Sequence, residues 1–325
     1  MQNGTGYEPN DDIQLAGSIY VASPVEMSGQ EFVFGLGITN AYGLGVEWPS
    51  NVPSRNTGSG YEGRLEMPQL QFSASYKVTS KLGVGLTYNS MDGELESKSG
   101  VAPAPNNASN IFKGNGTGNF MQYGVSYEVN DEWFFGLAYR DSFKVNFEGE
   151  FSANDGALVD SEASSTLAFP SHWIVGVNYR GADKWSLSWQ SQWTQWSEVE
   201  QFNLQFKNAT LLALFGNQTT PVNWENGWIH SLGASYELNE KVTLRGGYMY
   251  SESIIPDATQ TLTHADFAQH FLSGGVSVDY QKWGTDLTLV YVISEDQTIS
   301  GNVYGINGEH EANGFFVNLG VRYRF

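Results

Sequence analysis

"GFFVNLGVRYRF", residues 314–325, closes the chain. Every second residue from Phe315 is apolar: Val317, Leu319, Val321, Tyr323 and Phe325. Between them lie Phe316, Asn318, Gly320, Arg322 and Arg324. Period two is the signature of a strand. A strand with one wholly apolar face and one arginine-bearing face has to sit between two different media.

The same alternation runs through the rest of the chain. "FMQYGVSYEV" puts Met121, Tyr123, Val125, Tyr127 and Val129 on one face. "WFFGLAYRDSFKVNF" puts Trp133, Phe135, Leu137, Tyr139, Phe143, Val145 and Phe147 together, with Arg140, Lys144 and Asn146 opposite. "WIVGVNYR", "KWSLSWQSQW", "HSLGASYEL", "VTLRGGYMY" and "DLTLVYVIS" read alike. Short connections such as "KVTSKL", "EVNDEW" and "ELNEKV" alternate with long polar ones, near 44–67, 93–118, 149–166, 198–225, 253–266 and 295–311. A short turn at one end and a long loop at the other is the hairpin pattern of an outer-membrane barrel. The predicted fold is all-β: one transmembrane antiparallel β-barrel domain over residues 1–325 with about 13 strands, the first near Ile13–Ala22. Aromatic pairs such as Trp133 with Phe147, and Trp185 with Trp193, are expected as interfacial girdles. A soluble β-sandwich is disfavoured, because its strands average about 5–6 residues and several runs here alternate for longer.

Composition agrees. Charged residues are 16% of the 325, aromatics 14%, and there are 37 glycines. No apolar run approaches the roughly 20 residues of a membrane helix, but a spanning strand needs only about 9–11 residues with one apolar face. The formal charge of -19 opposes nucleic-acid binding. There is no cysteine, hence no disulfide scaffold and no thiolate metal site. "MQNGTGYEPNDD" has neither the basic start nor the apolar stretch of a leader. Bacterial single-chain barrels have even strand counts. Counting back from the C-terminus puts residues 1–12 outside the cell. The odd count predicts at least one strand upstream of this sequence, with any plug and leader; an unrecognised strand in "NATLLALFGNQ", which otherwise reads as a loop with a short helix, is the alternative.

Five words, "ITNAYGLGVEWP", "FPSHWIVGVNYR", "WSLSWQSQWTQWSEVEQF", "VTLRGGYMYSESIIPDA" and "FLSGGVSVDY", come in this order. They resemble the FadL-like family of outer-membrane transporters for long-chain fatty acids and hydrocarbons, from about residue 30 to the end. The resemblance implies a 14-stranded barrel with an N-terminal hatch, passive uptake of hydrophobic molecules, and lateral release through a kinked strand. The family's Asn-Pro-Ala hatch word does not occur here. It implies that Gly43, with Gly45 beside it, sits at the kink that opens the wall; the residues alone read as an ordinary strand-to-loop glycine.

Apolar groups in two long loops are candidates for an outer capture groove: Ile111 and Phe112, and Leu211, Leu212, Leu214 and Phe215. Alternatively they pack as small satellite cores. A fatty-acid carboxylate would need a cation, and Lys98, Arg140, Arg245 and Arg322 are the candidates; pairing with acids across the barrel is the competing role. The five histidines lack metal-ligand spacing, and no nucleophile motif is present, so no catalytic residue, metal or cofactor is expected. Expected partners are the hydrophobic solute, membrane lipid with lipopolysaccharide, and the barrel-assembly machinery through Phe325; a monomer is expected. A general porin for polar solutes and an outer-membrane hydrolase are the rival readings.

Overall fold

The computed structural model describes residues 6–10, 15–49, 51–52, 55, 59–101, 108–153 and 160–325, apart from the side chains of Ala41, Leu44, Leu214 and Phe215. In chain order the strands are β1 (Ser18–Met27), β2 (Gln30–Glu47), β3 (Gly60–Lys77), β4 (Leu82–Gly100), β5 (Ser109–Glu128), β6 (Trp133–Arg140) and β7 (Phe143–Ser152). Then follow β8 (Ser161–Phe169), β9 (His172–Ala182), β10 (Trp185–Thr194), β11 (Gln201–Phe206), β12 (Gln218–Pro221) and β13 (Gly227–Glu237). Last come β14 (Val242–Ser251), β15 (Gln269–Tyr280), β16 (Trp283–Ser294), β17 (Gln297–Ile299), β18 (Gly308–His310) and β19 (Asn313–Tyr323). Among the described residues one α-helix, α1 (Ala209–Phe215), lies in a loop. Asn208 caps it by accepting from the Thr210 and Leu211 amides, and Gly216 ends it at φ 63°. That is why "NATLLALFG" turns helical inside a β chain.

Seventeen strands join one antiparallel sheet, and β17 and β18 form a separate hairpin. Neighbours in sequence are neighbours in the wall. Four wall segments are broken in two: β6 with β7, β8 with β9, β10 with β11, and β12 with β13. The wall therefore has thirteen staves, as the alternation predicts. Among the described residues no ladder joins β1 to β19. The sheet curls on itself, because rings on β2 and on the β7–β8 hairpin touch across it: Tyr42 meets Phe143 and Phe169 at 5.9 and 5.0 Å. At the short-turn end Ser28 and Gly29 both have positive φ, 55° and 75°, a two-residue turn that matches strand twist.

Two aromatic belts mark the membrane. Nearest the short turns are Trp133 on Tyr179, Trp185 on Tyr236 and Trp283 on Tyr323, at 4.6, 4.8 and 4.7 Å. The second belt holds Tyr139 on Trp173 and Trp193 near Trp228, at 4.5 and 6.4 Å. Trp185 and Trp193 bound the same strand, as expected from the sequence. Eight residues at about 3.3 Å each give about 26 Å along a tilted strand, close to the band that hydrocarbon requires. Between the belts Leu86, Val125, Leu137, Val175, Leu187 and Leu232 face outward and exposed, while Gly, Ser, Thr, Gln and Asn face inward.

Above the second belt the wall reverses its polarity. On β3 the outward Leu70 and Phe72 give way to outward Arg64 and Glu66, and Met67 and Leu65 turn inside. On β4 Asp92 and Glu94 face out over a buried Met91. Here water bathes the outside, so apolar groups gain by burial in the interior. In β3, β4 and β5 the residue types change and the strand direction is kept. In β2, and at the junctions of β6 with β7 and of β8 with β9, the chain itself flips. Ala41 is extra in β2, between the rungs Asn40↔Pro68 and Tyr42↔Met67. Asp141–Ser142 and Pro170–Ser171 separate the other broken staves.

This corrects the parity reading. Trp133, Phe135 and Leu137 do face lipid, but Phe143, Val145 and Phe147 of the same parity are buried inside. Phe147 is 0% exposed and belongs to no girdle. Lys144, expected on the lumen face, points to water.

Candidate functional site: an aromatic layer above a glycine-lined chamber

The reversed upper wall encloses an apolar core. Met67, Met91, Phe112, Phe120, Phe143, Val145, Phe147, Phe151, Phe169, Phe206 and Leu211 form one buried cluster, with Tyr42, Leu65 and Leu95 packed on it. Its lowest layer is a set of four touching rings. Phe120 stacks on Phe143 at 4.6 Å, Phe143 stacks on Phe169 at 4.6 Å, and Tyr42 meets the last two edge-on from the far wall.

Immediately below is a polar shelf. Gln69 donates to Asn89 at 2.6 Å, and Asn89 donates to Gln122 at 3.2 Å. Gln122 pairs in register with Arg140, Arg140 with His172, and His172 with Thr194, all facing inward. Below the shelf a chamber of about 600 Å³ is lined by Gly85, Gly124, Gly136, Ala138, Gly176 and Gln190, with Lys77, Lys81 and Glu128 toward the short-turn end. Added Cβ atoms at Gly124 and Gly136 would meet nothing within 4 Å, so those glycines widen the chamber and pack against nothing.

Arg140 is the most unusual group here. Its residue is 8% exposed, its guanidinium donates to the Tyr42 hydroxyl and the Pro170 carbonyl, and its Nε has no partner. Its carbon lies over the rings of Tyr42, Phe120 and Phe143 at 5.5, 5.6 and 5.9 Å. No carboxylate pairs with it among the described residues. Removing a lone cation from water costs several kcal/mol, which cation–π contacts of about 0.5–2 kcal/mol offset only in part. The guanidinium thus carries a charge that no described carboxylate meets and one buried donor, Nε, without a partner.

The other cation candidates are already matched. Lys98 lies on the outer surface of the upper wall and pairs with Glu62 at 2.7 Å and Glu96 at 3.5 Å. Arg245 and Arg322 face the lumen nearer the short turns and share Asp286 at 3.1 and 3.0 Å, with Ser277 also bonded to both Arg245 and Asp286. Of the groove candidates, Phe112 and Leu211 meet in the buried core, while Ile111 faces the outer surface of β5 and Leu212 is exposed. Leu214 and Phe215 have side chains outside the described residues. Gly43 and Gly45 point outward just above the Ala41 bulge, and a Cβ on Gly43 would meet nothing closer than 3.8 Å. Phe325 is 92% exposed, with its ring against Tyr323 at 5.1 Å. Tyr42, Phe143 and Phe169 were not singled out as site residues from the sequence; the only signal was the "NAYG" word beside the bulge.

A second buried cluster caps the extracellular end: Val52, Tyr61, Leu262, Phe267, Ile299 and Ile306. Gln260 and Asn302 tie its loops together, Asn302 donating to the Asp257 and Gln260 carbonyls at 2.6 and 2.9 Å. Burial holds the His264 imidazole down at about 4 and pushes the Asp266 carboxyl up. Among the described residues no group of His, Asp or Glu is arranged to hold a metal ion.

These features define a class: a transmembrane antiparallel β-barrel whose upper interior is packed with aromatic and aliphatic side chains above a glycine-rich chamber. The family described as outer membrane protein transport protein (OMPP1/FadL/TodX) matches residues 4–325. The chain belongs to that family. It is 21% identical over 336 residues to the long-chain fatty acid transport protein of Salmonella typhi, covering 93% of this chain and 75% of that one. It is 24% identical to the 47 kDa outer membrane protein of Pasteurella multocida, covering 96% and 77%. Among solved structures, a FadL homologue of Pseudomonas aeruginosa superposes with TM-score 0.77 at 19% identity, over 94% of this chain and 76% of that one. The toluene transporter TbuX of Ralstonia pickettii gives 0.67 at 19%, over 94% and 80%. The barrel expected from strand parity is the family's fold, the location is the bacterial outer membrane, and the family is one of transport proteins and not of enzymes.

Proposed function

We propose that the chain carries hydrophobic carboxylic acids of long alkyl chain across the outer membrane by diffusion, with Arg140 receiving the carboxylate. The observation that carries this reading is Arg140 itself: a buried guanidinium with no acidic partner among the described residues, set under a stack of aromatic rings. The apolar upper cluster suits the alkyl chain, and the polar shelf suits the head group. Phe112 and Leu211 line that path, while Lys98, Arg245 and Arg322 are held by acids and serve the wall. The relative named for long-chain fatty acid transport supports an acid as cargo, and the relative named for toluene supports a neutral hydrocarbon.

Lateral release is part of the proposal. The Ala41 bulge interrupts the β2–β3 ladder beside Tyr42, and the wall there borders the passage directly. A general porin fits less well, because a closed aromatic layer gives polar solutes no attraction.

The deciding experiment compares oleate with a neutral alkene of equal length in proteoliposomes. Arg140→Gln is expected to weaken oleate binding about 10- to 100-fold, the worth of a charge-assisted hydrogen-bonded pair, and to leave alkene binding unaffected. Equal loss for both cargoes, or for neither, would falsify the anchor.

A further inference from the structure

Among the described residues, the lower part of the β7–β8 hairpin has no ladder rung to either neighbouring strand. Its rungs Phe143↔Phe169, Lys144↔Ala168 and Val145↔Leu167 are intact. On the β5 side the ladder stops at Gln122↔Arg140 and resumes at Asn115↔Glu148. On the β11 side it stops at His172↔Thr194 and resumes at Thr166↔Asn203. Within these gaps the connections include Asp141 N–H to the Met121 carbonyl and Gln195 N–H to the Ser171 carbonyl, both at 3.0 Å. Both ends of the flap begin at the junctions where the wall flips its faces, Asp141–Ser142 and Pro170–Ser171.

The flap lies inside the wall. A Cβ on Gly116 would stand 2.6 Å from the Asn146 carbonyl, and one on Gly118 would stand 2.8 Å from Val145 Cγ2. Only residues without a side chain let β7 rest on β5 this closely. At the base of the flap Arg140 donates to the Pro170 carbonyl, and Ser171 donates to Gln195 and Glu198 beside it.

We propose that this flap is an inner gate, hinged at Asp141–Ser142 and Pro170–Ser171 and latched by Arg140. The inference rests on Arg140 as the carboxylate receiver. A carboxylate arriving at the guanidinium competes with the Pro170 carbonyl for the same donors. Releasing Pro170 frees Phe143 and Phe169 to leave the ring stack, which opens the passage only when acid cargo has arrived. No ladder rung to β5 or β11 lies along Phe143–Phe147 or Leu167–Phe169, so the cost of the movement is the loss of the apolar burial of Phe143 and Phe169.

The chain has no cysteine, so a paired Gly118→Cys, Val145→Cys variant carries its only thiols. The contact just described brings the two side chains within reach of a disulfide. In proteoliposomes the oxidised variant is expected to pass oleate about tenfold more slowly than the same sample reduced with dithiothreitol, as gating by a lid requires. The recovery on reduction also reports that the variant folded. Equal flux in the two states overturns the gate, whatever Arg140 binds. A reversible block together with unaltered oleate binding by Arg140→Gln overturns the latch and the carboxylate reading, and leaves a gate of another trigger.

Discussion

The ring of Tyr42 meets the ring of Phe169 edge-on, 5.0 Å between centroids, from opposite walls of the barrel. Through Phe143 and Phe120 the contact extends to a continuous layer of rings across the passage. Tyr42→Ala should open that layer. Sugar-driven swelling of liposomes, expected to be slow with the parent protein, should quicken severalfold. Unchanged swelling would mean that the layer does not seal.

Arg322 tests the division between structural and receiving cations. Its charge is met by Asp286 at 3.0 Å and by Asp279 at 3.5 Å. Both partners are partly exposed, and such pairs contribute only about 0–1 kcal/mol. Arg322→Gln should leave the oleate dissociation constant within about twofold, well short of the effect of a lost anchor. A larger shift would move the carboxylate site down the lumen.

Phe147 is fully buried in the upper core, beside the close approach of Gly93. Phe147→Ala should cost about 3–5 kcal/mol, the usual range for a buried aromatic cut to alanine. The readout is the temperature at which the folded barrel loses its fast migration in detergent gels. If Phe147 were in the lipid girdle, as plain parity puts it, alanine would cost far less.

Gly43 has room outward for a branched side chain, and its φ is not left-handed. Gly43→Val should therefore assemble normally. If cargo leaves sideways beside the Ala41 bulge, the added bulk should slow oleate uptake while binding at Arg140 persists. Uptake equal to the parent's would remove this part of the wall from the route.

The extracellular cap should loosen in acid. His264 is held near 4, against 6.5 when unburied, so the unfolded loop takes a proton before the folded one does. Stability from neutral His264 is complete above about pH 6.5 and declines as pH falls toward 4. Asp266 acts in the opposite sense, since burial raises its pKa and acid relieves its charge. Protease cleavage within 252–268 should be faster at pH 5 than at pH 7, and His264→Gln should flatten that difference. An identical acid response in the variant would assign it elsewhere.

Much of the barrel was legible in the sequence, because membrane and water impose a period of two on every spanning strand. "GFFVNLGVRYRF" carries it in full, and the spacing of short turns gives thirteen staves. The short helix expected in "NATLLALFG" is present, and the structure shows Asn208 and Gly216 as its caps. The groove residues were legible only as apolar: Phe112 and Leu211 share one core, and Ile111 and Leu212 do not. Counting alternate residues through "YRDSFKV" assumes an unbroken strand, and Asp141–Ser142 turns the faces over without any change in apolar content.

What the chain alone determined was which segments face oil, since that follows from local alternation and the cost of unpaired backbone in hydrocarbon. Tertiary structure decided where the wall stops facing lipid and where the passage closes. Tyr42, Arg140 and Phe169 become neighbours only when the sheet curls. A cation that parity placed among several equals then becomes the buried one that no acid neutralises among the described residues.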